Sequence, residues 1–184
     1  MFIEALEGRR LLSGVKFVAP LLGANEVPAH VTPAKGSAKF VLSRDGSSLR
    51  FTLKAGKLQH AAMAHIHLGP AGQNGEIVVD LLAADTPRIR PKKLSARGTI
   101  TAANLTGSLA GHTLADLVAQ MTAGTAYVNV HSNDNVDPPD TGPGDFPGGE
   151  IRGQIRRLGR VTANNPGGSG NNGGTGGGGG IYTY

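Results

Sequence analysis

Between Val15 and Arg160 apolar residues recur mostly at every second position, and clusters of Gly, Pro, Asn and Asp interrupt them at intervals of roughly eight to twelve residues. A period of two sends successive side chains to opposite faces of a strand. The pattern therefore predicts an all-β sandwich or barrel of about eight strands, near residues 15–22, 37–43, 48–54, 63–68, 76–81, 96–101, 125–131 and 149–157. Arg44-Asp45-Gly46 and Gln73-Asn74-Gly75 supply the Asp-Gly and Asn-Gly pairs that tolerate positive φ, so each predicts a tight hairpin. One stretch changes period. Leu114, Leu117, Val118 and Met121 fall at i, i+3, i+4 and i+7 behind a Thr113/Asp116 cap, which predicts a short helix over 113–122 that crosses between strands with one face buried.

Composition sharpens this picture mainly by exclusion. The 184 residues include 29 Gly and 11 Pro but no Cys and no Trp, which suits a turn-rich chain of short strands. Without cysteine there is no disulfide framework, thiolate nucleophile or Cys-ligated metal. The formal charge of +5 favours acidic surfaces, yet no aromatic residue sits inside a basic cluster, so nucleic acid is not an expected partner. No apolar run is long enough for a transmembrane helix. The GxSxG, GxxxxGK[ST] and HExxH patterns are absent, and no GxGxxG follows a predicted strand.

The two ends read differently from the middle. Residues 1–14, MFIEALEGRRLLSG, form a short amphipathic leader that lacks the apolar stretch of an ordinary secretory signal. They resemble the LEPR-XLL leader of large bacterial surface and exported proteins, with Leu6, Glu7, Arg9, Leu11, Leu12 and Ser13 in place and Gly8 standing for the usual proline. That resemblance implies export. Residues 161–184 are Gly- and Asn-rich and too poor in apolar groups to offset the entropy of ordering, so a flexible tail is expected there.

Candidate chemistry concentrates in two strands. In Met63-Ala64-His65-Ile66-His67-Leu68, alternation turns Ile66 and Leu68 inward and puts His65 and His67 together on the other face, about 7 Å apart. In Tyr127-Val128-Asn129-Val130-His131, Asn129 and His131 likewise oppose the inward Val128 and Val130. If these strands are neighbours, His65, His67 and His131 converge, and three imidazoles suit copper or zinc, with a water or a carboxylate from Asp134, Asp137, Asp140 or Asp145 to complete the set. The competing reading keeps the histidines on a solvated or loop-covered face, bonded to backbone. The loop from Ser132 to Gly149 is expected to be a mobile connection, with calcium on Asp134, Asp137, Asp140 and Asp145 as the alternative. Further on, Glu150 and Arg152 share a face with Gln154 and are expected to make cross-strand ion pairs. The basic run Arg88-Ile89-Arg90-Pro91-Lys92-Lys93, with Arg97 nearby, reads as a solvated loop, or else as a contact for an anionic polysaccharide or phospholipid surface.

Three blocks, LLGANEVPA at 21–29, AHIHLGPAGQNGEIVVDL at 64–81 and GTAYVNVHSND with GGEIRGQI at 124–134 and 148–155, together resemble the chordin (CHRD) domain of secreted developmental antagonists and microbial exported proteins. The resemblance spans roughly residues 15–158 and implies a Greek-key β-sandwich or barrel, immunoglobulin-like or Cu/Zn superoxide dismutase-like. The HxH strand is similar to the copper-binding strand of those dismutases. Their bridging histidine, zinc-loop ligands and disulfide have no counterpart here, which argues against dismutase activity. The domain at 15–160 is accordingly read as an exported, extracellular or cell-surface, non-catalytic module for a surface protein or glycan. A copper- or zinc-binding protein, redox-active in one version, that uses His65, His67 and His131 is the alternative, and a plain structural spacer is the third reading.

Overall fold

The structure, a computed structural model, describes residues 14–83, 88–136 and 138–159. The predicted leader, apart from Gly14, and the predicted tail lie outside the described residues. Each predicted strand is present: β1 (Lys16–Leu22), β2 (Lys35–Leu42), β3 (Leu49–Gly56), β4 (Ala61–Leu68), β5 (Ile77–Asp80), β7 (Lys93–Ile100), β8 (Ala126–Ser132) and, in the last predicted span, β9 (Ile151–Gln154) followed by β10 (Arg156–Arg157). The basic run is not a loop. Its Arg88–Arg90 forms β6, which turns through Lys92 at φ +62° and pairs with β7.

All the pairings are antiparallel, and the strand order is β5-β4-β8-β9-β1-β2-β3-β7-β6, with β10 on β1. The neighbours β3 and β7, β4 and β8, and β1 and β9 are distant in sequence, as Greek-key crossovers require. The curled sheet is an all-β, barrel- or sandwich-like fold around one core. Phe17, Phe40 and Phe51 lie directly opposite one another across β1, β2 and β3, all pointing inward at 1% exposure or less. Each such ring contributes about 1.5–3 kcal/mol by leaving water.

The hairpin at Arg44-Asp45-Gly46 forms as predicted, with Gly46 at φ +73°. The one predicted at Asn74-Gly75 does not. The β4–β5 turn falls at Pro70–Gln73, closed by Gln73 N donating to Pro70 O with Gly72 at φ +79°. Asn74 is thereby released to bond other loops.

The predicted helix is α1 (Leu114–Ala123). Asp116 accepts from the Thr113 amide and hydroxyl at its start, and Gly124 at φ +75° ends it in the left-handed conformation. Leu114, Leu117, Val118 and Met121 are buried, and the helix carries the chain across from β7 to β8.

Candidate metal centre

β4, β8 and β9 are adjacent, so their outward side chains share one face. In β4 Ala64 and Ile66 enter the core with no exposure, which turns His65 and His67 outward. In β8 Val128 and Val130 do the same, leaving Tyr127, Asn129 and His131 outside. The register sets His65 opposite Asn129, His67 opposite Tyr127, and Asn129 opposite Arg152 of β9. His131, paired with Met63, is then diagonal to His65.

On an ordinary barrel such a face is wet. Here three loops cover it, and His65, His67 and His131 are only 6%, 7% and 6% exposed. The β4–β5 loop is held by Gly75 N donating to the Tyr127 hydroxyl at 3.0 Å and by Arg152, which donates to Asn74 Oδ1, Gln73 O and Pro70 O. Asn74 Nδ2 continues to Val27 O, tying in the β1–β2 loop. The long loop after β8 is no loose connection. His30 stacks on Phe146 with ring centroids 3.8 Å apart, and Glu150 accepts from the Thr32 hydroxyl at 2.5 Å and from Gly144 N at 3.1 Å.

Those partners replace the cross-strand ion pairing expected of Glu150 and Arg152. The two carboxylate oxygens of Glu150 are taken by loop donors, while the Arg152 guanidinium lies 3.4 Å above the Tyr127 ring and is spent on loop carbonyls. The two side chains share a face, but each is used to fasten a different loop.

The three histidine rings meet under this cover. Ring centroids are 5.6 Å apart for His65 and His67, 5.0 Å for His65 and His131, and 6.0 Å for His67 and His131. One nitrogen from each lies within 4.8 Å of the others. The remaining nitrogens decide which these are. His67 Nδ1 is 2.9 Å from Gly75 O and His131 Nδ1 is 2.8 Å from Pro147 O. A carbonyl accepts only from N–H, so both rings carry their proton on Nδ1 and present a lone pair at Nε2. His131 Nε2 accepts from His65 Nδ1–H at 3.1 Å, so His65 offers Nδ1 to a metal once that proton moves to its other ring nitrogen. A tetrahedral centre with bonds of 2.0–2.1 Å spaces its nitrogens about 3.3 Å apart, so this pair already has ligand spacing. His67 Nε2 is buried with no partner.

Burial lowers the pKa of all three rings, against the attraction of Asp80 for His65 and the carbonyl bonds of the other two. For His131 the value falls to about 4. Neutral rings with free lone pairs are the form that ligates metal. The backbone carbonyls on Nδ1 are the kind of outer support that fixes a ligand's orientation.

Other members of the face were not legible in the sequence. Glu26 is 6% exposed, and burial pushes its carboxyl up to about 8 despite Arg152 nearby and Asn129 Nδ2, which donates to Oε2 at 3.4 Å. Glu26 Oε1 and Asn129 Oδ1 have no partner. Glu26 sits in the LLGANEVPA block, whose fold gave no local sign of burial, and Tyr127 stacks on His67 at 4.9 Å from a position that reads simply as strand.

The calcium alternative gains no geometry. Among the described residues the three histidines form the one group of three or more metal-capable side chains, and Asp134, Asp140 and Asp145 are not in it. Asp145 accepts from the Thr141 amide and hydroxyl, and Asp134 from Val136 N. Asp137 lies outside the described residues.

The family model described as the CHRD domain matches residues 17–138, well over half of the chain and all three histidines. No curated protein matches the chain.

Proposed function

The chain belongs to the CHRD-domain family, and on that premise we propose that it is an exported, extracellular or cell-surface binding module that holds one copper or zinc ion on His65 Nδ1 and on Nε2 of His67 and His131. The observation that carries the reading is the buried, unpartnered Nε2 of His67, on one of three buried rings that each bring a nitrogen within 4.8 Å of the others. An orphaned buried acceptor costs about 1–3 kcal/mol, and an ion bound at His67 Nε2 removes that cost. Nitrogen-only donors favour copper or zinc over calcium or magnesium. The rings are nearly withdrawn from solvent, which supports an ion that is structural or slowly exchanged, in a module that binds a partner without transforming it.

Calorimetric titration of the chelator-stripped full chain with Cu(II) and with Zn(II) tests this. One equivalent should bind tightly to the wild type and fail to bind a His65→Ala/His67→Ala/His131→Ala variant. Removing three buried rings can itself unfold the domain, so circular dichroism is read first and His67→Gln alone repeats the test with the least disturbance. Equal, weak uptake by all three proteins overturns the metal reading.

A further inference from the structure

The opposite flank of the barrel presents a second surface with a different chemistry. On β1, β2 and β3 the inward positions are Phe17, Phe40, Phe51 and their alternates, so the outward ones include Lys16, Lys35, Lys39, Arg50 and Lys54, all exposed. β7 and β6 extend the face with Lys93, Arg97, Arg88 and Arg90, also exposed. The register aligns them in rows: Ser37, Lys54, Ser95 and Arg88 run across four strands, and Lys35, Gly56, Lys93 and Arg90 run beside them. These five strands contain no Asp or Glu. These nine cations exceed the chain's formal charge of +5, so the rest of the sequence is net acidic and the positive charge is gathered on this face.

We propose that this face, the outer surface of β1-β2-β3-β7-β6, binds a linear anionic polysaccharide bearing carboxylate or sulfate groups along its length. Three observations select that occupant. Along β2, β3 and β7 the cations stand four residues, about 13 Å, apart, and across the sheet they mostly fall on every second strand, about 10 Å apart, an open lattice that meets an extended chain of charges at several points. The phenylalanines of these strands all point into the core, so the face offers no ring on which a base could stack. The sheet curls around the core, so its cations cannot all reach one plane, and among the described residues the exposed large apolar side chains of these strands, Leu22, Val41 and Ile89, stand on three different strands and include no aromatic ring to enter a bilayer boundary. A flexible glycan follows the curve. The proposal is independent of the metal centre, which lies on β4, β8 and β9.

The test measures binding of the full chain to immobilised polygalacturonate and dextran sulfate, with neutral dextran as reference, at low and at high salt. Retention on both polyanions, absent on dextran and lost at high salt, is expected. Lys39→Gln/Arg50→Gln/Lys54→Gln should weaken it about tenfold or more, since several exposed pairs are lost together. Ala115→Glu/Ala119→Glu/Ala123→Glu changes the net charge by the same three units on exposed positions of α1, and should leave retention within about twofold. All six positions are solvent-facing, and a melting curve confirms that each variant is folded. The proposal is overturned by absence of retention at low salt, by equal losses in the two variants, or by tighter binding at equal charge concentration to phosphatidylserine/phosphatidylcholine vesicles or to duplex DNA.

Discussion

Glu26 is the residue whose chemistry departs furthest from its ordinary state. Burial penalises its carboxylate more than Arg152 and Asn129 favour it, and the carboxyl is pushed from 4.5 to about 8. The unfolded chain gives up this proton near 4.5 and the folded chain near 8, so between those values the folded state holds more protons. Stability from this group is therefore complete below about pH 4.5 and falls as pH rises towards 8. Glu26→Gln imitates the protonated form and does not titrate. In urea unfolding of the chelated protein it should gain on the wild type as pH rises from 4.5 to 9, by something on the order of a few kcal/mol. Stability curves that run parallel across that range defeat the assignment of Glu26 as a neutral buried acid. The same residue marks where sequence reasoning stops. His65, His67 and His131 are readable because alternation along a strand is local and needs only the pairing of β4 with β8 to bring them together. Glu26 lies in a loop, and its burial is created by contacts with Asn129 and Arg152, over a hundred positions away.

At the scale of elements the legible parts are those that carry their own apolar pattern. The strands with alternating core residues and the capped helix fall where periodicity puts them, whereas β6 is a three-residue strand exposed throughout and takes its form from pairing with β7. The β4–β5 turn moved for a similar reason, because Asn74 and Gly75 serve the face on β8 and β9 more than the hairpin itself. β9 shows how tight such joints are. Ile151 and Ile155 point inward as alternation demands, and Gly153 between them lies so near β1 that a Cβ would stand 2.0 Å from Pro20 O. A backbone carbonyl cannot give way like a side-chain tip. Gly153→Ala should therefore part β9 from β1 and destabilise the domain by about 3 kcal/mol or more, measured by thermal or urea unfolding. Since β9 also carries Arg152, the loops over the histidines should loosen with it. A cost below about 0.5 kcal/mol, typical of an indifferent surface change, would show that the joint is not this close.

For the molecule as a whole, one curled sheet carries a covered, histidine-lined face and another whose cations are exposed among the described residues. An ion that binds only the folded chain stabilises it by mass action, by about 2.7 kcal/mol when its free concentration is one hundred times Kd. For a domain of this size that corresponds to a rise of about 5–10 °C in Tm. Copper or zinc should produce that rise in the wild type, a chelator should reverse it, and the triple histidine variant should not respond. The two faces lie on separate sets of strands with no shared side chain, and distant sites of this kind contribute additively. The metal-dependent rise should therefore be the same with dextran sulfate bound as without it, and Lys39→Gln/Arg50→Gln/Lys54→Gln should leave it intact. If the polyanion abolishes the rise in the wild type but not in that variant, the faces communicate through the sheet. The core would then be transmitting the binding of one ligand to the site of the other, and the histidine centre would be a regulated element of polysaccharide binding.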